Sequence, residues 1–179
     1  MQSWVALLRG VNVGGHNKLP MKALQEALGG AGFTGVATYI QSGNIVFRHA
    51  ATAPALATQI GDIIAAQFGF RPAVKLLRRS ELAAVAKANP FPAAALQDDG
   101  KQLHLFFLDG APDAGHAAGL NALCTQAECW ALKGGVFYLH TPEGFGRSKL
   151  AAQAEKKLKT GATARNWRSI QALLELSSV

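Results

Sequence analysis

Hydrophobic positions along the chain change period several times, and each change marks an element. Residues 3–9 (SWVALLR) form a short apolar run closed by Gly10, which predicts a buried strand. A polar, glycine-rich stretch, GVNVGGHNKL, leads to Pro20, a residue suited to the first position of a helix. Met21, Leu24, Ala27 and Leu28 then recur at helical spacing, and Gly29, Gly30 and Gly32 end that helix. Two strands follow, around residues 36–40 and 44–47. Gln41-Ser42-Gly43 joins them as a tight turn in which Gly43 is free to take positive φ. Thr52 and Pro54 open a second helix whose Leu56, Ile60, Ile63, Ile64 and Phe68 form one apolar stripe, and residues 73–78 (AVKLLR) read as the next strand. The order β-α-β-β-α-β is the split βαβ arrangement of ferredoxin-like folds.

The second half repeats that order. A helix from Ser80 and a proline-containing connection, NPFPAAALQDDG, act as the joint. A strand at residues 102–109 and a helix at 112–123 follow. Strands at 128–133 and 136–140 come next, with Gly134-Gly135 as their hairpin turn. The spacing then predicts a helix over 149–158 and another from about Arg165 to Leu176. The predicted fold class is α+β: two ferredoxin-like halves with antiparallel sheets, residues 1–79 and 80–179, the second carrying an extra C-terminal helix. The repeat is one of element order, with no short sequence period.

Composition is compatible with this picture and narrows the partners. The chain has 179 residues, 49% hydrophobic and 16% charged, enough to bury a real core in one large domain or two small ones. Its net charge of +7 makes anionic partners worth considering. That charge is local. Residues 1–79 carry eight bases and two acids, residues 80–146 three bases and seven acids, and residues 147–168 seven bases and one acid. Two cysteines, Cys124 and Cys129, do not make a disulfide framework, and a reducing, cytoplasmic setting is expected. No basic-then-apolar leader and no apolar run near membrane-spanning length is present, so neither export nor a membrane partner is expected.

Chemistry has four places to reside. The loop Gly10 to Lys18 joins strand to helix, and a glycine-rich turn of this kind either serves as a compact connection or lets backbone N–H groups converge on an anion. Arg9 and Lys18 flank it, with Asn12, Gly14 and Gly15 inside. Its spacing resembles the phosphate loop of nucleotide hydrolases, but His16 stands where the phosphate-gripping lysine belongs and Asn17 replaces the magnesium-binding hydroxyl. That chemistry is rejected. The second glycine loop, residues 142–149, has Ser148 as an expected N-cap, with Arg147 and Lys149 at the positive end of the helix. A bound anion would account for cations there, and so would ordinary solvation. In TARNWRS, Arg165 and Arg168 are predicted close together on a helix, able to grip a phosphate or carboxylate or to cap a surface, beside a buried stripe of Trp167, Ile170 and Leu174. Finally, His104 with Phe106 and Tyr138 with His140 share strand faces. If those faces coincide, they form either core or a base-stacking platform. No zinc, GxSxG or HExxH pattern appears, so no metal or cofactor is expected.

Four ordered blocks carry a resemblance: ALLRGVNVGGHNKLPM, YIQSGNIVF, GFGRSKL and TARNWRS. Together they resemble a bacterial family of unknown function whose members open with an ALLRGINVGG-like sequence. The resemblance implies a tandem ferredoxin-like architecture and implies no activity. The chain departs from the family's pattern at His16, where lysine is frequent, at Ala164, where threonine is frequent, and at Ser169, where threonine often appears.

The sequence thus points to a protein that binds an anionic, phosphate-bearing ligand, either a small molecule or nucleic acid, through Arg9, Asn12, Gly14, Gly15, Lys18, Gln41, Ser42, Asn44, Arg147, Lys149, Arg165 and Arg168. The alternative is an enzyme acting between the halves on a small phosphorylated or carboxylated metabolite, with Asn12, His16, Gln41, Ser42 and Asn44 as its polar groups. A scaffold or protein-interaction module is a third reading.

Overall fold

In a computed structural model the chain is described over residues 1–113 and 115–178. Strand β1 (Gln2–Arg9) runs into α1 (Met21–Gly30), β2 (Thr34–Tyr39), β3 (Asn44–His49), α2 (Ala53–Phe68) and β4 (Ala73–Arg78). The four strands form one antiparallel sheet in the order β2-β3-β1-β4. Because β3 lies between β1 and β2, the first crossover is the split βαβ unit that the element order predicts. Trp4, Ala6 and Leu8 project from one face of β1, together with Ile45 and Phe47 of β3, into a core closed by Leu24 and Leu28 of α1 and Leu56, Ile60 and Ile64 of α2. Val5 and Leu7, on the opposite face, are also fully buried. A strand buried on both faces reads as a continuous apolar run rather than an alternation, which is why SWVALLR is so legible.

The chain continues through α3 (Arg79–Lys87), α4 (Pro92–Leu96), β5 (Leu103–Leu108), α5 (His116–Asn121), β6 (Cys129–Lys133), β7 (Val136–His140), α6 (Lys149–Leu158), β8 (Ala162–Asn166) and α7 (Trp167–Leu176). The second sheet is antiparallel in the order β6-β7-β5-β8, the same topology as the first. Phe106, Leu108, Phe137 and Leu139 face Leu120 of α5 and Leu150, Ala154 and Leu158 of α6. The fold is therefore α+β with two ferredoxin-like halves. No described helix is long and apolar enough to cross a membrane.

Two sequence expectations change. Residues 162–166, read above as leading into the last helix, are strand β8, paired with β5 from Leu108↔Ala162 to His104↔Asn166. This five-residue edge strand, ATARN, is short and carries no large apolar side chain, so pairing with β5 rather than local propensity makes it a strand. The proline-containing connection is not an open joint, since it holds α4 and a 3-10 turn at Gln97–Gly100. One compact unit comprises Met1–Ala84 and the chain from Gln171 on, and the other Val85–Ile170. Within the first unit Ser3 Oγ of β1 donates to the Ser177 carbonyl at 3.0 Å.

Candidate anion-binding loops

In the first unit the β1–α1 connection is a miniature hairpin. Val13 and His16 form an isolated antiparallel bridge. The His16 N–H donates to the Val13 carbonyl at 3.0 Å, and the Asn12 N–H to the Asn17 carbonyl at 3.1 Å. Gly14 (φ 58°) and Gly15 (φ 79°) are its two central residues, the positive-φ pair that a two-residue type I′ hairpin requires. Residues 13–18 are all exposed between buried Val11 and Leu19. The glycines thus form the tip of a protruding hairpin rather than a cradle folded against the start of α1.

The hairpin is fastened at its base. Asn12, itself at φ 54°, donates through Nδ2 to the carbonyls of Leu19 (3.0 Å) and Gln41 (2.7 Å) and accepts the Leu19 N–H on Oδ1 at 2.8 Å. Asn17 Nδ2 donates to the Gly10 carbonyl at 2.9 Å. The bond to Gln41 ties the hairpin to the β2–β3 turn, and the Leu8 N–H reaches the Gly43 carbonyl of that turn at 2.8 Å. In the turn, buried Asn44 donates to the Tyr39 carbonyl at 3.1 Å and to Ser42 Oγ at 2.8 Å. The structure therefore brings Asn12, Gly14, Gly15, Gln41, Ser42 and Asn44 into one loop cluster, with Arg9 and Lys18 on the same connection. The Asn12 and Asn44 amides serve the loops' own backbone, which is a positioning role.

Two features of this cluster are not among the sequence expectations. Ile40, read there as the end of a strand, lies in the turn at φ 48°. A β-branched side chain in the left-handed region is strained, and such strain gathers at functional sites. Its side chain is 54% exposed and that of Val13 is 65% exposed, each one residue from the Asn12–Gln41 bond. The turn-forming Gln-Ser-Gly that follows Ile40 was the one hint available.

In the second unit the predicted cations lie on different elements. Ser148 caps α6, its Oγ accepting the Ala151 N–H at 2.9 Å, with Arg147 and Lys149 exposed on either side. Arg165 is instead a buried residue of β8, opposite Leu105 in the ladder. Its Nη1 donates to the Ala164 carbonyl at 2.8 Å, and burial pushes its pKa down to about 10, still protonated at neutral pH. Arg168 sits in α7 and pairs through Nε with Asp99 at 3.2 Å. The expected Arg165–Arg168 pair on one helix is thus corrected, because β8 takes Arg165 into a sheet. The stripe beside it shifts too, to Ile170 and Leu173.

The aromatic faces are corrected as well. Cross-strand pairs place His104 with Leu139 and Phe106 with Phe137, whereas Tyr138 pairs with Leu105 and His140 with Leu103. His104 and Phe106 thus face the helices, Tyr138 and His140 the opposite side, and no shared platform forms. His104 stacks on Phe145 with ring centroids 3.8 Å apart. Tyr138 is buried, and its hydroxyl donates to the Val85 carbonyl at 2.8 Å. Among the described residues no group of His, Cys, Asp and Glu is arranged to hold a metal ion.

Comparisons with known proteins agree with this architecture. A family model described as "Protein of unknown function (DUF1697)" matches residues 1–138. No curated protein is significantly similar. Among solved structures the chain is similar to the conserved bacterial protein SP0830 from Streptococcus pneumoniae, at 23% identity over 98% of each chain with a TM-score of 0.73. At that identity the likeness shows the fold alone.

Proposed function

The chain belongs to the DUF1697 family of proteins of unknown function, and on that premise we propose that it binds an anionic, phosphate-bearing ligand, a nucleic-acid backbone above others, through the β1–α1 hairpin. The observation that carries this reading is the hairpin itself: a glycine-tipped, exposed loop fixed at its base by the three Asn12 hydrogen bonds. A loop held rigid before binding loses little conformational freedom on binding. A Cβ built on Gly15 meets nothing, and one on Gly14 meets only the His16 ring at 3.9 Å. The tip is therefore open to close approach by an oxyanion, which backbone N–H groups in left-handed turns attract. Arg9 and Lys18 on the same connection, within a segment holding eight bases and two acids over residues 1–79, add the long-range field. Because the loop protrudes, it suits an extended polyanion better than a small anion that needs enclosure.

Fluorescence anisotropy with labelled single- and double-stranded RNA and DNA, at about 50 and 200 mM salt, tests this reading. Binding should weaken steeply with salt, and Arg9→Ala with Lys18→Ala should lower the slope of log affinity against log salt by about 2. No binding at the lower salt excludes nucleic acid, and competition by inorganic phosphate or mononucleotides then tests small anions. An unchanged slope in the double variant removes the hairpin from the site.

A further inference from the structure

The second unit holds both cysteines of the chain, on either side of one tight turn. The Glu128 N–H donates to the Thr125 carbonyl at 3.3 Å, and Glu128 Oε2 accepts the Thr125 N–H at 3.0 Å. The residues flanking this closed turn are Cys124 and Cys129. Cys124 Sγ donates to the Glu128 carbonyl at 3.5 Å, which places it against the peptide group that leads into Cys129. A further bond, Trp130 Nε1 to Asn121 Oδ1 at 3.1 Å, laces the same two segments together outside the turn. Both thiols are partly exposed. His140, opposite Cys129 in the β6–β7 ladder, has Nδ1 3.9 Å from the Cys129 sulfur.

We propose that Cys124 and Cys129 are a reversible dithiol–disulfide pair, oxidised by small-molecule disulfides. The fold supplies what the linear spacing does not, because an open six-residue segment keeps its ends together only part of the time. His140 Nδ1 accepts the Cys129 proton. The resulting thiolate attacks one sulfur of a disulfide RSSR, forming a mixed disulfide and releasing RS⁻. Cys124 then attacks the Cys129 sulfur and expels the second RS⁻, and the two protein protons pass to the two thiolates. The sum is one protein dithiol and one RSSR converted to one protein disulfide and two RSH. Burial raises the pKa of both thiols, and the neighbouring charges act in the same direction, Glu128 on Cys124 and Cys124 on Cys129. Burial holds the His140 pKa below the ordinary histidine value, so the imidazole is the neutral, proton-accepting form at pH 7. Raised thiol pKa values keep the thiolate fraction low at neutral pH, so the exchange is slow.

The experiment incubates the full chain with glutathione buffers of defined thiol-to-disulfide ratio, followed by acid quenching, alkylation and intact-mass measurement. The expected product is a loss of about 2 Da with both thiols blocked together and no lasting glutathione adduct. Cys124→Ser should instead trap a glutathione adduct on Cys129. At one buffer ratio the folded chain should be oxidised about tenfold more, as a disulfide-to-dithiol ratio, than the chain in urea, which isolates the contribution of the fold from that of sequence proximity. His140→Gln should slow oxidation without changing that equilibrium ratio. Two thiols that remain alkylatable, a stable adduct on the wild-type chain, or equal ratios folded and unfolded would each overturn the proposal.

Discussion

His104 is a test of how tightly the second unit excludes water. It lies in β5 facing the helices, stacked on Phe145, and its buried Nδ1 has no hydrogen-bond partner among the described residues. Desolvation pushes its pKa down from 6.5 to about 4, with the Gln102 backbone pulling weakly in the other direction. The unfolded chain takes up a proton near pH 6.5 while the folded chain refuses it until about pH 4, so the folded state binds fewer protons across that window. Stability is therefore fully present above pH 6.5, falls as the pH drops towards 4, and has no further dependence on this group below that. A displacement of this size corresponds to about 3 kcal/mol. His140, also held low by burial, adds in the same direction. Urea unfolding followed by circular dichroism at pH steps from 7.5 to about 4 should show the loss, and His104→Gln should remove most of it. Titration of the ring proton of His104 by NMR reads the same quantity directly. A folded-state pKa near the ordinary histidine value, or an acid limb unchanged in the glutamine variant, would refute the burial argument.

Three further outcomes follow from the loop cluster of the first unit. Asn12→Ala removes three hydrogen bonds and leaves alanine at φ 54°, a loss of about 3 kcal/mol in urea unfolding. Gly43→Ala places a Cβ 2.7 Å from both Leu8 Cβ and Val11 Cγ2 at a residue with φ 76°, so a loss of at least about 2 kcal/mol or failure to fold is expected, read by soluble yield and thermal melting. Ile40→Asn relieves a left-handed β-branched residue and should raise stability by about 1 kcal/mol in the same melts, because asparagine tolerates that region. A neutral or destabilising Ile40→Asn would mean that the isoleucine side chain makes contacts worth more than its strain.

Much of the fold is legible because hydrophobic period follows burial. The stripe on α2, the continuous run of β1 and the glycine-marked hairpin at Gly134-Gly135 each report a local constraint, and the first unit's element order was readable from end to end. The candidate site was legible only as composition. Glycines, asparagines and two cations in one loop announced an unusual connection, but both a cradle and a hairpin use positive-φ residues, and the sequence does not say which backbone groups bond to each other.

The sequence by itself determined the α+β class, the repeated order of elements and the concentration of positive charge in two segments, because these depend on periodicity and count. Tertiary structure alone decided the rest. ATARN became a strand because β5 offered it an unpaired edge, and that single pairing buried Arg165 and separated it from Arg168. Strand register, which shifts every side chain to the other face with one residue of slip, put His104 on the helix side and Tyr138 on the other. Asn12 reaches Gln41, twenty-nine residues away, only after two loops meet in space. Long-range pairing of this kind leaves no local pattern to read, since each partner looks like an ordinary loop residue until the other arrives.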